Sequence, residues 1–182
     1  ERDKIRTRIA DLVAQAWHTE EIRTVRPTPV DEARWGFSVV ENSLWEAVPD
    51  FIRELSAKFE AKYDLALPLD AAPVKISSWM GGDRDGNPFV TSKVTQQVLL
   101  LARKRAAKLF AQDVDMLQVE LSMSDCDDTI RAQVGDELEP YRALLRPLLT
   151  TLTNTKNGIA EFLNGESVDD SKWIASKEEL LT

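Results

Sequence analysis

The chain has 182 residues, enough for one domain with a sizeable core, and its 23 Lys and Arg against 31 Asp and Glu leave a formal net charge of −8. An acidic surface repels phosphate backbones and anionic lipid, which argues against a nucleic-acid or membrane partner. With 30% charged and 43% hydrophobic residues, the composition is that of a folded soluble protein rather than a disordered one.

No apolar run approaches the ~20 residues of a membrane-spanning helix, and residues 1–8 are charged, with no signal-peptide core behind them. The single Cys126 excludes an intrachain disulfide and fits a reducing, cytoplasmic setting. Residues 3–17 place Ile5, Ile9, Leu12, Val13, Ala16 and Trp17 on one helical face. The pattern breaks from His18 onward, with Pro27 and Pro29 two apart. Thr28 then predicts an N-cap, Pro29 occupies the first helical position, and Asp31 and Glu32 complement the helix dipole. Val30, Ala33, Phe37, Val40, Leu44 and Val48 follow at steps of three and four. A separate helix is expected from near Pro49, burying Phe51, Ile52, Leu55 and Phe59. Trp35 and Trp45 are assigned to the core.

Residues 64–73 read as a connection. In residues 74–79, Val74 and Ile76 alternate with Lys75 and Ser77, which predicts one short strand whose partners must come from elsewhere. A glycine-rich loop occupies residues 80–90. Thr91 or Ser92 then caps a long helix carrying Val94, Val98, Leu101, Ala102, Arg105 and Leu109, expected to continue past a break near Asp113 to Leu121. Arg103, Lys104, Arg105 and Lys108 read as a solvated face. Ser124 and Asp127 form a capping-box variant before a short helix. A last long helix is expected from about Glu139 to Leu163, turning Leu145, Leu148, Leu149, Leu152, Ile159 and Phe162 inward, and Gly165 ends it. Ser176 with Glu179 is an S-x-x-E box announcing another helix. The expected fold is mainly α with one short strand. A start inside a helical pattern without Met, and a stop just after a cap, lead us to expect a segment of a longer protein.

The stretch WMGGDRDGNP, residues 79–88, lies between the predicted strand and a helix start, where α/β barrels and open sheets place ligand-contacting groups. Gly81, Gly82 and Gly86 permit positive φ or close approach of a ligand. Asp83, Arg84 and Asp85 alternate in sign, so they can hold one another and still offer donors to an anion. Asn87 tolerates left-handed backbone, Pro88 stiffens the exit, and Trp79 with Met80 supplies apolar surface at the base. The plain alternative is a charged surface turn. Asp83-Arg84-Asp85 also begins like a calcium-binding EF-hand loop, but the required Gly and Glu positions hold Pro88 and Val94, so calcium is excluded.

Arg23 and Arg26 stand beside a Pro-rich turn and a helix start, where they could bind a phosphate or simply pair with Glu20, Glu21 and Glu32. His18 is the only histidine and has no Ser or Cys in a triad-like arrangement, so it reads as a packed or surface residue. Cys126 has acidic neighbours that disfavour the thiolate.

SSWMGGDRDGNPFVT (residues 77–91) closely resembles a loop of phosphoenolpyruvate carboxylases. WHTEEIR (17–23), RPTPVDEARWGF (26–37), VENSLWEAVPDFIREL (40–55), VLLLARKRAAKLF (98–110) and ELSMSD (120–125) resemble further pieces of the bacterial form, in order and without large gaps. The resemblance implies an enzyme that joins bicarbonate to phosphoenolpyruvate, with Mg²⁺ or Mn²⁺, to give oxaloacetate and phosphate. It implies an α/β (TIM-type) barrel buried among helices, and a homotetramer. Residues 74–79 would be one barrel strand. Trp79 would line an apolar pocket at the barrel mouth, with Gly81, Gly82, Asp83, Arg84, Asp85 and Asn87 shaping the active-site loop. Arg23 matches an arginine that binds sugar-phosphate activators in plant enzymes. The family's catalytic HPTE histidine would lie upstream, and its metal carboxylates and GRGG-type loop downstream, so no metal ligand is expected here. His18-Thr19-Glu20 lacks the proline of HPTE, and the chain alone is expected to be inactive. The competing reading is a non-catalytic helical regulatory or assembly module with an anion site at Arg23 and Arg26.

Overall fold

The computed structural model describes residues 1–19 and 26–174. Arg23 and the Ser176–Glu179 box lie outside the described residues. The helices are α1 (Arg2–His18), α2 (Pro29–Val39), α3 (Trp45–Tyr63), α4 (Ser92–Glu120), α5 (Asp128–Val134) and α6 (Pro140–Leu163). A π-helical turn spans Val40–Leu44 and a 3-10 turn spans Asp170–Lys172.

Local chemistry sets most of the helix starts. The Thr28 hydroxyl accepts the Asp31 N–H at 3.2 Å, and the Asp31 carboxylate accepts the Thr28 N–H at 3.2 Å, a closed capping box with Pro29 just inside. The Thr28 hydroxyl also donates to Asp31, and these bonds hold the Asp31 carboxyl below its ordinary pKa. Thr91, rather than Ser92, caps α4 by accepting the Val94 N–H at 3.3 Å. Asp127 alone caps α5, accepting the Ile130 N–H at 2.9 Å, whereas Ser124 gives only its carbonyl to Arg131. Gly165, at φ +89°, follows the end of α6.

Two expected breaks are absent. α2, the π turn and α3 run on from Pro29 to Tyr63, with Pro49 inside α3 rather than opening a new helix. The adjustment comes earlier: the Trp45 N–H bonds the Val40 carbonyl, five residues back, which inserts one residue into the helical ladder. α4 passes through Asp113 without interruption. The Asp113 carboxylate accepts the Trp45 indole N–H at 2.9 Å, so it is engaged across the structure instead of competing for its own backbone.

The main packing is α4 against α6. Ala107, Ala111 and Val114 from α4 meet Leu152 from α6 and Ile174 from the strap that follows α6 (residues 164–174), with Leu145, Leu148 and Leu149 alongside. The strap is fixed by the Ile174 N–H, which donates to the buried Thr155 hydroxyl at 2.9 Å, and by Arg103, which donates to the Ile174 carbonyl. Gly158 leaves the space that the Trp173 indole fills.

Several expectations are corrected. Residues 74–79 form no strand, and none of the backbone groups of residues 72–78 pairs with another backbone group among the described residues. A strand exists only through pairing, and among the described residues this segment has no backbone partner. Trp35 is 45% exposed and Phe162 44% exposed, not buried. Ile5, Ile9, Leu12, Val13 and Trp17 on α1, and Phe51 and Phe59 on α3, also stand exposed. Periodicity marks which face is apolar; it does not supply the element that covers it. The basic run on α4 is not simply solvated either, since Arg105 and Lys108 both pair with Glu41. No helix among the described residues is long and apolar enough to cross a membrane.

Candidate functional site

The glycine-rich loop is held at its base between two helices. On one side the Met80 side chain lies against α2 at Gly36, where a Cβ would sit 2.0 Å from Met80 Cε and 2.8 Å from Sδ. On the other side Gly81 is buried at φ +73° against Val98 of α4, whose Cγ2 lies 2.6 Å from where a Cβ would be. The Thr95 hydroxyl donates to the Gly81 carbonyl at 2.7 Å. The N–H groups of Gly82 and Asp83 both donate to the Trp79 carbonyl, at 3.0 and 2.9 Å, closing a tight turn.

The tip has its own internal bonds. The Asn87 N–H donates to the Arg84 carbonyl at 2.5 Å, and the Asn87 side-chain oxygen accepts the Phe89 N–H at 3.0 Å. Gly86 takes φ +73°, and Asp85 takes φ +33°, a left-handed conformation that costs energy for a residue with a Cβ. Gly82 does not use positive φ. Asp83, Arg84 and Asp85 are exposed and form no ion pair with one another. Their alternating charge therefore does not brace the loop as the sequence implied.

The loop residues look onto three separate depressions. Trp79, 76% exposed, stands with Met80 and Ile76 at an apolar groove of about 480 Å³ that Phe37, Val40 and Leu109 also line. Arg84 faces a second, open depression along α4 with Thr95, Gln96 and Arg103. Asn87 borders a third, of about 230 Å³, opposite Arg26 and Glu32. Trp79 and Arg84 are thus not brought to one point. Neither Asp83 nor Asp85 lines any of these three.

Electrostatics fix the wall of the apolar groove. Glu41, in the π turn, accepts from Lys108 at 2.5 Å and from Arg105, which itself lines the groove. The Lys108 hydrogen bond and the nearby Arg105 charge hold the Glu41 carboxyl below its ordinary range, outweighing the opposing effect of burial. Trp45 and Phe110 pack edge to face, with ring centroids 4.8 Å apart. No group of three or more His, Cys, Asp or Glu among the described residues could hold a metal ion.

The family model for phosphoenolpyruvate carboxylase matches residues 1–182. The chain belongs to the phosphoenolpyruvate carboxylase family. It is 56% identical over 180 residues to the phosphoenolpyruvate carboxylase of Aeromonas salmonicida (strain A449), a match covering 99% of this chain and 20% of that protein. It is 55% identical over 181 residues to the enzyme of Vibrio vulnificus (strain YJ016), covering 99% of this chain and 21% of the relative. It is 51% identical over 181 residues to that of Ectopseudomonas mendocina (strain ymp), covering 100% and 21%. The chain thus spans about a fifth of the length of these curated relatives.

Membership of the carboxylase family bears out the resemblance carried by SSWMGGDRDGNPFVT and does not favour a separate regulatory module. Sequence reasoning on this carboxylase segment singled out the loop but missed what holds it. Gly36 gave one available signal: glycine inside an otherwise regular helix is costly unless something approaches closely, and here Met80 does. Thr95 gave none, because a threonine one turn into a helix is ordinary and its partner Gly81 is 14 residues away.

Proposed function

We propose that this chain supplies one wall of the active site of a phosphoenolpyruvate carboxylase, with Trp79 as the side chain that shelters the reacting groups. The carrying observation is the placement of Trp79: the next two residues, Met80 and Gly81, are seated on α2 and α4, while Trp79 stands 76% exposed beside apolar surface. A large apolar side chain on a fixed base is suited to excluding water from a ligand laid against it.

In this reading a bicarbonate oxygen attacks the phosphorus of phosphoenolpyruvate. The bond from phosphorus to the enol oxygen breaks, and its electron pair leaves with the enolate of pyruvate. The carboxyphosphate formed releases CO₂ and phosphate, and the enolate methylene carbon bonds to CO₂ to give oxaloacetate. If water reaches the enolate first, it takes a proton on carbon and leaves as pyruvate. Excluding water therefore decides the product as well as the rate. Trp79 would cover the methylene face, and Gly81 to Asn87 would shape the rim.

The same reading places residues 74–79 as a strand of an α/β barrel, which would pair backbone groups left open here. The remaining four-fifths of such an enzyme would also cover the apolar faces of α1 and α3, and the enzyme would assemble as a cytoplasmic homotetramer. In this reading Mg²⁺ or Mn²⁺ would be held by carboxylates of the full enzyme that lie outside this chain. Arg23 would bind an effector. The test is replacement: residues 1–182 are put in place of the matching segment of the full-length Aeromonas salmonicida carboxylase. A soluble chimera that forms oxaloacetate supports the reading; a soluble, folded chimera without activity contradicts it.

A further inference from the structure

Trp79 can act as a shield only if its backbone is held still, and the structure shows how the two residues after it are anchored. Met80 is lodged on Gly36 of α2, a contact made of flexible side-chain atoms against bare backbone. Gly81 is held by a directional bond, because its carbonyl accepts the Thr95 hydroxyl at 2.7 Å. The same hydroxyl lies 3.2 Å from the Thr91 carbonyl of its own helix, the usual resting partner of a helical threonine. The shorter distance is to the loop, so the proton is directed mainly toward Gly81.

Gly81 has little other freedom. It is buried, it sits at φ +73°, and Val98 occupies the space beside its Cα. Thr95 and Val98 lie three residues apart on α4 and so share one face of that helix. One contacts the Gly81 carbonyl and the other fills the space where a Cβ would stand. Rotation of the 81–82 peptide would break the Thr95 bond, and because the Gly82 N–H belongs to the same peptide it would also pull that N–H off the Trp79 carbonyl. That carbonyl anchors the turn through the Gly82 and Asp83 N–H groups.

We propose that Thr95 is a positioning residue for Trp79: by donating to the Gly81 carbonyl it sets the turn that orients the indole over the reacting groups. The proposal rests on the reading of Trp79 as a shield. Thr95 acts through Gly81 and Trp79 and touches no substrate itself.

The test uses a full-length carboxylase carrying residues 1–182, assayed for oxaloacetate and pyruvate from phosphoenolpyruvate and bicarbonate. Thr95→Val keeps the shape and β-branching but removes the donor; Thr95→Ser keeps the donor; Thr95→Ala serves if the valine variant does not fold. Loss of the donor is expected to raise the pyruvate-to-oxaloacetate ratio at least about threefold, with KM for phosphoenolpyruvate changed less than kcat. Thr95→Ser is expected to restore the ratio. Adding Thr95→Val to Trp79→Ala is expected to raise the ratio no further, since both act through one group. If Trp79→Ala moves the ratio and neither Thr95→Val nor Thr95→Ala does, the positioning role is overturned and the shielding reading stands. A loss of activity in Thr95→Val at unchanged ratio, not recovered by Ser, marks a merely structural residue and also overturns it. If Trp79→Ala leaves the ratio unchanged, the shielding reading falls and the role of Thr95 falls with it.

Discussion

Trp45 donates its indole N–H to the Asp113 carboxylate at 2.9 Å, tying the first residue of α3 to the interior of α4 across 68 positions of sequence. The bond fixes where the helix running from Pro29 resumes after its π turn, and so fixes the wall of the groove beside Trp79. Trp45→Phe keeps the aromatic contact with Phe110 but removes the donor, and Asp113 is exposed enough to rehydrate. We expect a loss of about 1 kcal/mol in urea unfolding. Trp45→Ala also removes the ring and should lose roughly 3 kcal/mol. A Trp45→Phe protein as stable as the parent would show that the indole hydrogen bond contributes nothing.

The Glu41 cluster predicts a pH dependence on the acid side. Glu41 titrates below its ordinary value of 4.5 in the folded chain, first because of the Lys108 hydrogen bond. A lowered carboxyl pKa adds stability that is fully present above about 4.5 and is lost as pH falls through the depressed folded value. Glu41→Gln should therefore destabilise the chain by about 1 kcal/mol at pH 7, Glu41 being mostly buried and its partners partly exposed. The gap between the two proteins should close as pH drops below the ordinary carboxylate range. Thermal melts of both across that range check it, and a gap independent of pH would contradict the assignment.

Gly36 and Gly81 should respond differently to alanine. At Gly36 the new methyl meets only the end of Met80, which can swing away, and alanine favours the helix by about 1 kcal/mol. Gly36→Ala should thus leave stability within about 1 kcal/mol while displacing Met80 and lowering carboxylation in the full-length enzyme. At Gly81 the methyl meets branched Val98 at φ +73°, and the substitution should destabilise by roughly 1–3 kcal/mol. Urea titration with parallel activity assays separates the two. A Gly36→Ala protein of full activity would remove the Met80 seat from the account.

What could be read from the sequence was what is local. Thr28, Thr91, Asp127 and Gly165 mark helix ends through neighbours within a few residues, and the structure uses each at a helix end. The apolar spacing of Leu145, Leu148, Leu149, Leu152 and Ile159 correctly turned one face of α6 inward. The π turn and the unbroken passage of α4 through Asp113 were hidden, because both depend on Trp45 and Glu41 meeting α4 more than 60 residues later. The strand expected at residues 74–79 does not form among the described residues for a related reason: alternation shows that a segment can pair, but pairing needs a partner. At the loop, the string WMGGDRDGNP drew attention to the charged triplet, whereas the geometry gives the constrained positions to Trp79, Met80 and Gly81.

The most direct test of the central claim is the product ratio of Trp79→Ala in a full-length carboxylase carrying residues 1–182. Oxaloacetate is trapped by reduction as it forms, and pyruvate is measured in the same reaction. We predict that kcat/KM falls roughly tenfold and that pyruvate becomes a substantial product, as water reaches the enolate. A folded Trp79→Ala enzyme with unchanged kinetics and no added pyruvate would contradict the assignment of this loop to the reacting groups.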